Sequence, residues 1–228
     1  MRHRKAGRRL DRHSQERVAL FRNLTMSLFE RFGTNEEFVL TSVAKAKEVR
    51  GFAERIVTLG IKARKELDAA AKAAGLASAE ELEKTHIEHA GAEGKKGKRY
   101  KDFPEEVRKR IAKAGHYRRM ILERLGCCVS ADPRRDSNYQ NWEAKPGHAV
   151  PPRHERAIRT LIGRIAPRFI KRAEEKPGSQ GGYTRVLKTS KWVLGDGSTR
   201  ALWGFVGGEK VVPAPGQPSE KQAAVGTK

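Results

Sequence analysis

The stretch YTRVLKTSKWVLGDGSTRALWGFV (183–206) decides the fold class. Residues 183–194 alternate and are rich in β-branched and aromatic types, which predicts a strand. GDGS (195–198) supplies turn chemistry, and TRALWGFVGG (199–208) predicts the returning strand. Upstream, apolar residues change their period from two to between three and four. Ala157, Leu161, Ile162 and Ile165 form a helical stripe that Pro167 is expected to end or kink, with a loop over 174–182. Near the start, Val18, Phe21, Leu24, Leu28 and Phe32 recur at helical spacing, with Ser14 as the expected cap and Gly33 as the stop. EEFVLTS (36–42) reads as a short strand or extended link. Ser42 is placed to cap a second helix that buries Val49, Phe52, Ala53, Ile56 and Val57. The sequence therefore predicts an α+β fold: a small helix-rich domain with a C-terminal β-hairpin or small sheet.

In strand 183–194, Tyr183, Arg185 and Leu187 share one face and Thr184, Val186 and Lys188 the other. Tyr183 reads as a packing residue that closes a small core. One of Arg185 and Lys188 is expected to reach a partner.

The partner is indicated by charge. The 228 residues carry 48 Lys/Arg against 27 Asp/Glu, a formal net charge of +21. Such self-repulsion is relieved by a polyanion, and counterion release makes nucleic acid the first candidate. The charge is uneven. Residues 66–152 hold 17 basic and 14 acidic residues, so nearly all the excess lies outside them. It is densest in the first twelve residues, where Arg2, Arg4, Lys5, Arg8, Arg9 and Arg12 face only Asp11. Residues 1–13 thus read as a basic arm. No apolar stretch follows the charges as in a secretory signal, and no run is long enough to span a bilayer. The expected location is cytoplasmic.

The middle, 66–152, reads as an addition to the core segments 14–65 and 153–208. A helix over 64–74 stops at Gly75, and the capping box Ser78–Glu81 opens a short acidic helix. A Gly-rich link spans 91–102. Pro104 starts another helix that Gly126 stops. Residues 126–152 lack periodicity, with Tyr139 and Trp142 as either base-stacking or covering residues. The tail 209–228 is Pro-, Gly- and Ala-rich and is expected to be disordered.

Sites for chemistry are sparse. The adjacent Cys127 and Cys128 lack the spacing of a zinc half-site, and His86 and His89 fall short of four ligands. No phosphate-binding loop, dinucleotide fingerprint or nucleophile elbow occurs. The chain reads as no enzyme, with no cofactor, no metal and no small-molecule substrate. A DNA-binding architectural role is the alternative, although no recognised docking motif follows the arm.

Four stretches in order narrow the choice: MRHRKAGRRLDRHSQERVALFRN (1–23), TSVAKAKEVRGFAERIVTLG (41–60), APRF (166–169) and GGYTRVLK (181–188). Together they resemble the seventeenth-protein family of the bacterial large ribosomal subunit. The resemblance departs from the family at Asp11, where Asn is usual, at Ala44, where Pro is usual, and in the length of 66–152. It implies a structural protein that binds large-subunit ribosomal RNA near the polypeptide exit tunnel, on the cytoplasmic ribosome, beside neighbouring large-subunit proteins. The expected RNA contacts are Arg2, His3, Arg4, Lys5, Arg8, Arg9 and Arg12 of the arm, then Arg17, Arg22 and Asn23 of the first helix. Lys45, Lys47 and Arg50 of the second helix follow, with Arg185 and Lys188 of the strand. Arginine forks suit phosphate because they donate in pairs.

Overall fold

The computed structural model describes residues 7–34, 36–82, 103–126, 153–176, 181–195 and 197–207. The expectations for Arg2, His3, Arg4, Lys5, His86, His89, the link 91–102, Cys127, Cys128, Tyr139, Trp142 and the tail 209–228 lie outside the described residues, as does the loop beyond Gly126.

The elements run α1 (Ser14–Glu30), β1 (Phe38–Ser42), α2 (Val43–Ala73), α3 (Glu105–Leu125), α4 (Arg153–Thr160), a wide π turn (Leu161–Ile165), α5 (Ala166–Glu175), β2 (Thr184–Trp192) and β3 (Thr199–Phe205). A helical turn over 79–82 precedes the segment that leads to α3. The α+β expectation stands, and the sheet has one strand more than the hairpin alone. Its order is β1-β3-β2, all antiparallel, so β1 pairs with the far edge of the hairpin.

Register sets the two faces of the sheet. Val39, Trp203 and Val186 lie opposite one another on the inner face, and Trp203 is fully buried. One residue on, Leu40, Leu202 and Leu187 form the outer row, where Leu40 and Leu187 are exposed. This is the period-two alternation of a sheet covered on one side. The covering helices contribute Leu28 and Phe29 from α1, Val49, Ala53, Ile56 and Val57 from α2, and Ile158, Leu161, Ile165 and Phe169 from the α4–α5 rod. Phe29, Phe32 and Phe169 all meet Phe205, with ring centroids 5.5–6.1 Å apart. Tyr183 meets Phe169 edge-on at 4.9 Å, in keeping with its packing role.

Three local expectations change. Ser14 is the first residue of α1, not its cap. His13 holds the cap position in extended geometry, with no side-chain hydrogen bond, and its carbonyl accepts from Arg17 N–H at 2.9 Å. Pro167 does not end its helix. It sits in the first turn of α5, directly after the π turn, where the wider loop tolerates a residue without an N–H. The rod then continues through Glu174 and Glu175, which the sequence places in a loop.

Ser42 does cap α2, its Oγ accepting from Lys45 N–H at 3.4 Å. Ser78 Oγ likewise accepts from Glu81 N–H at 3.3 Å, while Glu81 reaches back to Ala77 N–H at 3.0 Å. α2 passes through residue 65 without a break. α3 lies along it: Ile121, Leu122 and Leu125 join the main core, while Val107 and Phe103 form a smaller cluster with Ala70, Ala71 and Leu82. The close approach of helices shows at Gly60, where a Cβ would lie 2.7 Å from Leu161 Cγ.

Candidate nucleic-acid interface

The described end of the arm is held, not free. Arg9 to Arg12 make a tight turn, with Arg12 N–H donating to Arg9 carbonyl at 3.2 Å. Leu10 (φ 54°) and Asp11 (φ 53°) at its centre are both left-handed. Residues with side chains reach that region only at a cost of roughly 1–2 kcal/mol each, and Asp tolerates it better than Leu. Such strain persists where surrounding contacts fix the chain. Those contacts are present. Arg17 of α1 donates to Arg8 carbonyl at 3.4 Å, and Arg8 Nε lies 3.7 Å from Glu48 of α2. Gly7 also passes close to Glu48, so that an added Cβ would stand 3.4 Å from its Oε2.

From Glu48 the basic surface continues along α2. Lys45 and Lys47 lie within one turn of Glu48, Lys47 exposed and Lys45 half-buried. Arg50 is exposed and donates to Glu54 Oε1 at 3.1 Å. The same oxygen accepts from the Thr184 N–H at 3.3 Å and hydroxyl at 3.0 Å. Thr184 is buried, and the next residue, Arg185, points outward on β2. The basic rim is tied in two separate places: Arg17–Arg8–Glu48 joins the arm to α1 and α2, and Arg50–Glu54–Thr184 joins α2 to the sheet edge beside Arg185. Arg9 and Arg12 are exposed on the turn of that rim.

The other expected contacts lie elsewhere. Arg22 is half-buried and donates Nε to Arg124 carbonyl at 3.1 Å, at the C-terminal end of α3. A cation there pairs with the negative end of the helix dipole. Gly126, left-handed at φ 79°, leaves room for it: a Cβ would stand 2.5 Å from the guanidinium. Arg22 thus locks α1 to α3. Asn23 is exposed on α1. Lys188 shares the inner parity of Thr184 and Val186 yet is exposed, and a bulge follows it between Lys188 and Trp192. The organising acids Glu48 and Glu54 were not among the expected site residues. Only the four-residue spacing of Arg50 and Glu54 signals one of them.

Among the described residues no three His, Cys, Asp or Glu side chains could hold a metal ion, and no helix is long and apolar enough to cross a membrane. A three-helix layer on a small sheet, rimmed by cations and carrying a basic arm, defines a class: small, strongly basic α+β proteins. Comparison with known proteins makes the class particular. The sequence model of the Ribosomal protein L17 family matches residues 20–206. The chain is 30% identical to the large ribosomal subunit protein bL17 of Rhodopirellula baltica, over 98% of this chain and 90% of that protein. It is 52% identical to bL17 of Geobacter sulfurreducens and 48% identical to that of Trichlorobacter lovleyi, each over 60 residues. Those 60 residues are 26% of this chain, and 31% and 44% of the two relatives. The chain belongs to the ribosomal protein L17 family and is a protein of the large ribosomal subunit.

Proposed function

We propose that this protein binds large-subunit ribosomal RNA near the polypeptide exit tunnel of the cytoplasmic ribosome, as a structural component with no catalytic step. The basic arm is the main grip. Its residues Arg2, His3, Arg4, Lys5, Arg8, Arg9 and Arg12 thread between RNA segments, where a thin peptide reaches phosphates that a globular face cannot. Arg17, Lys45, Lys47, Arg50 and Arg185 carry the contact onto the folded body, and neighbouring large-subunit proteins pack beside it. The observation that carries this reading is the pinning of Gly7 and Arg8 against α1 and α2. An arm with no partner to meet gains nothing from being aimed, and aiming it lowers the entropy lost on binding.

Sedimentation of cell lysate tests the reading. The full chain should co-migrate with large subunits through moderate salt, and a variant lacking residues 1–12 should leave them at lower salt. A free or nucleoid-bound pool of the full chain would overturn the reading.

A further inference from the structure

A second cluster of cations lies at the other end of α1, outside all the residues assigned to RNA above. α4 presents Arg153, Arg156 and Arg159 at spacings of three, and α3 adds Arg118. Their side chains are 41–59% exposed. Beneath them are two carboxylates, Glu30 at the last position of α1 and Glu155, which is 4% exposed. Arg153 Nε donates to both oxygens of Glu30 at 3.0 and 3.1 Å, and its terminal nitrogen donates to Ser27 Oγ at 2.7 Å. Arg156 lies 3.6 Å from Glu30 Oε1. Arg118 and Arg159 share Glu155 Oε1, at 2.6 and 3.1 Å.

Four guanidiniums over two carboxylates leave an excess of two positive charges. A network built only for stability has no need of that excess, and a helix C-terminus is an unfavourable place for Glu30. A different purpose accounts for both. The acids lie beneath the arginines and hold Arg118, Arg153 and Arg159 by hydrogen bonds and Arg156 by an ion pair, each through some of its donors only. An arginine has five donors, so this leaves most of the Arg118 and Arg156 forks open to solvent. Forks already held lose less freedom when an anion arrives. Arg153 to Arg159 spans about 9 Å along the helix, too long for one phosphate group and suited to consecutive ones.

We infer that Arg118, Arg153, Arg156 and Arg159 form a second RNA-backbone site, which grips phosphates at the end of α1 opposite the arm. The two grips stand about 24 Å apart, the length of α1, so they take separate segments of RNA.

The inference rests on the RNA-binding reading, and one experiment separates the two. Affinity of the full-length protein for transcribed large-subunit ribosomal RNA is measured across a salt series. The proteins compared are the natural chain, R8Q/R9Q in the arm, and R156Q/R159Q in the cluster. Removing one cation from a phosphate should lower the slope of log affinity against log salt by about one, so the cluster variant should fall by about two. Arg118 still pairs with Glu155 in that variant, and its thermal midpoint reports whether the fold survives. If the double variant unfolds, R156Q alone, which gives up only the 3.6 Å ion pair, should lower the slope by about one. A natural chain with no affinity for this RNA would sink the functional reading. A normal slope in a folded cluster variant, beside a flattened one in the arm variant, would sink only the second site. A photo-crosslinker placed at 156 in assembled ribosomes should mark RNA, and marking a protein instead would also overturn the second site.

Discussion

In its first half, α2 packs Val49, Ala53, Ile56 and Val57 into one cluster with Trp203, Phe29 and Phe205. In its last turns it offers Ala70 and Ala71 to Val107, Phe103 and Leu82. The first half supports the sheet, the arm through Glu48 and, through Glu54, the buried Thr184 beside Arg185. The far end joins a thin cluster of small side chains, where each contact removes less apolar surface from water. α3 runs along both. Its start belongs to the thin cluster, and its end inserts Ile121, Leu122 and Leu125 into the thick one. The helix that sequence reading groups with a near-neutral addition is therefore also a wall of the body that holds the basic rim.

Deletion is the strongest way to break this comparison. Joining residue 65 to 153 would be harmless if the middle were only an appendage, which is the sequence expectation. The packing predicts otherwise. It removes three buried apolar side chains from the main core, at about 1.5–3 kcal/mol each. It also strips Arg22 of its acceptor on α3 and Glu155 of Arg118. The shortened chain should show no cooperative unfolding transition by circular dichroism, and Ile121→Ala alone should lose about 2–5 kcal/mol. A deleted chain that still unfolds cooperatively would make α3 dispensable.

The reach of the sequence differs from element to element. The hairpin, both faces of β2, the Ser42 cap and the α3 stop at Gly126 were legible, because local rules fix them: alternation, a hydroxyl at a helix start, a glycine at its end. β1 was half legible, since its pairing with β3 joins residues some 160 positions apart and depends on tertiary contact. That the rod continues through Pro167 was not legible, because the π turn before it is set by packing and not by a local rule. Within the rim, Arg8 and Arg50 could be named from charge alone. Their acids Glu48 and Glu54 could not, because which face of α2 meets the arm is a matter of packing. Arg22 has the same charge as the rim residues but lies on the face that meets α3.

Two glycines in α2 sharpen the contrast at smaller magnitude. Gly51 is exposed, and an added Cβ would meet nothing within 4 Å. Gly51→Ala should therefore gain about 0.5–1 kcal/mol from backbone entropy. Gly60→Ala has the same propensity advantage, but its Cβ would stand 2.7 Å from Cγ of the fully buried Leu161. Overpacking typically costs about 1–3 kcal/mol, which should cancel or reverse the gain. Urea denaturation of the two variants should place Gly51→Ala above the natural chain and Gly60→Ala level with it or below. Equal gains would mean that α2 and the α4–α5 rod separate easily at this crossing.

The smallest expected effect appears only in acid. Burial alone would raise the pKa of Glu155, yet Arg118 and Arg159 outweigh it through charge and hydrogen bonds, and the carboxyl falls below its ordinary value of 4.5. A group whose pKa is lower in the folded state binds fewer protons there than in the unfolded chain. Stability from this group is therefore fully present above pH 4.5 and lost as pH falls through the lowered folded value. Glu155→Gln should keep its fold at neutral pH, because both arginines remain half in solvent and need no counter-charge to stay hydrated. The variant's stability should then decline less steeply below pH 4.5 than that of the natural chain, when unfolding midpoints are compared across an acid series. Parallel declines would mean that the two arginines do not hold Glu155 ionised in the folded protein, and the pairing beneath the second cluster would then be too weak to orient its forks.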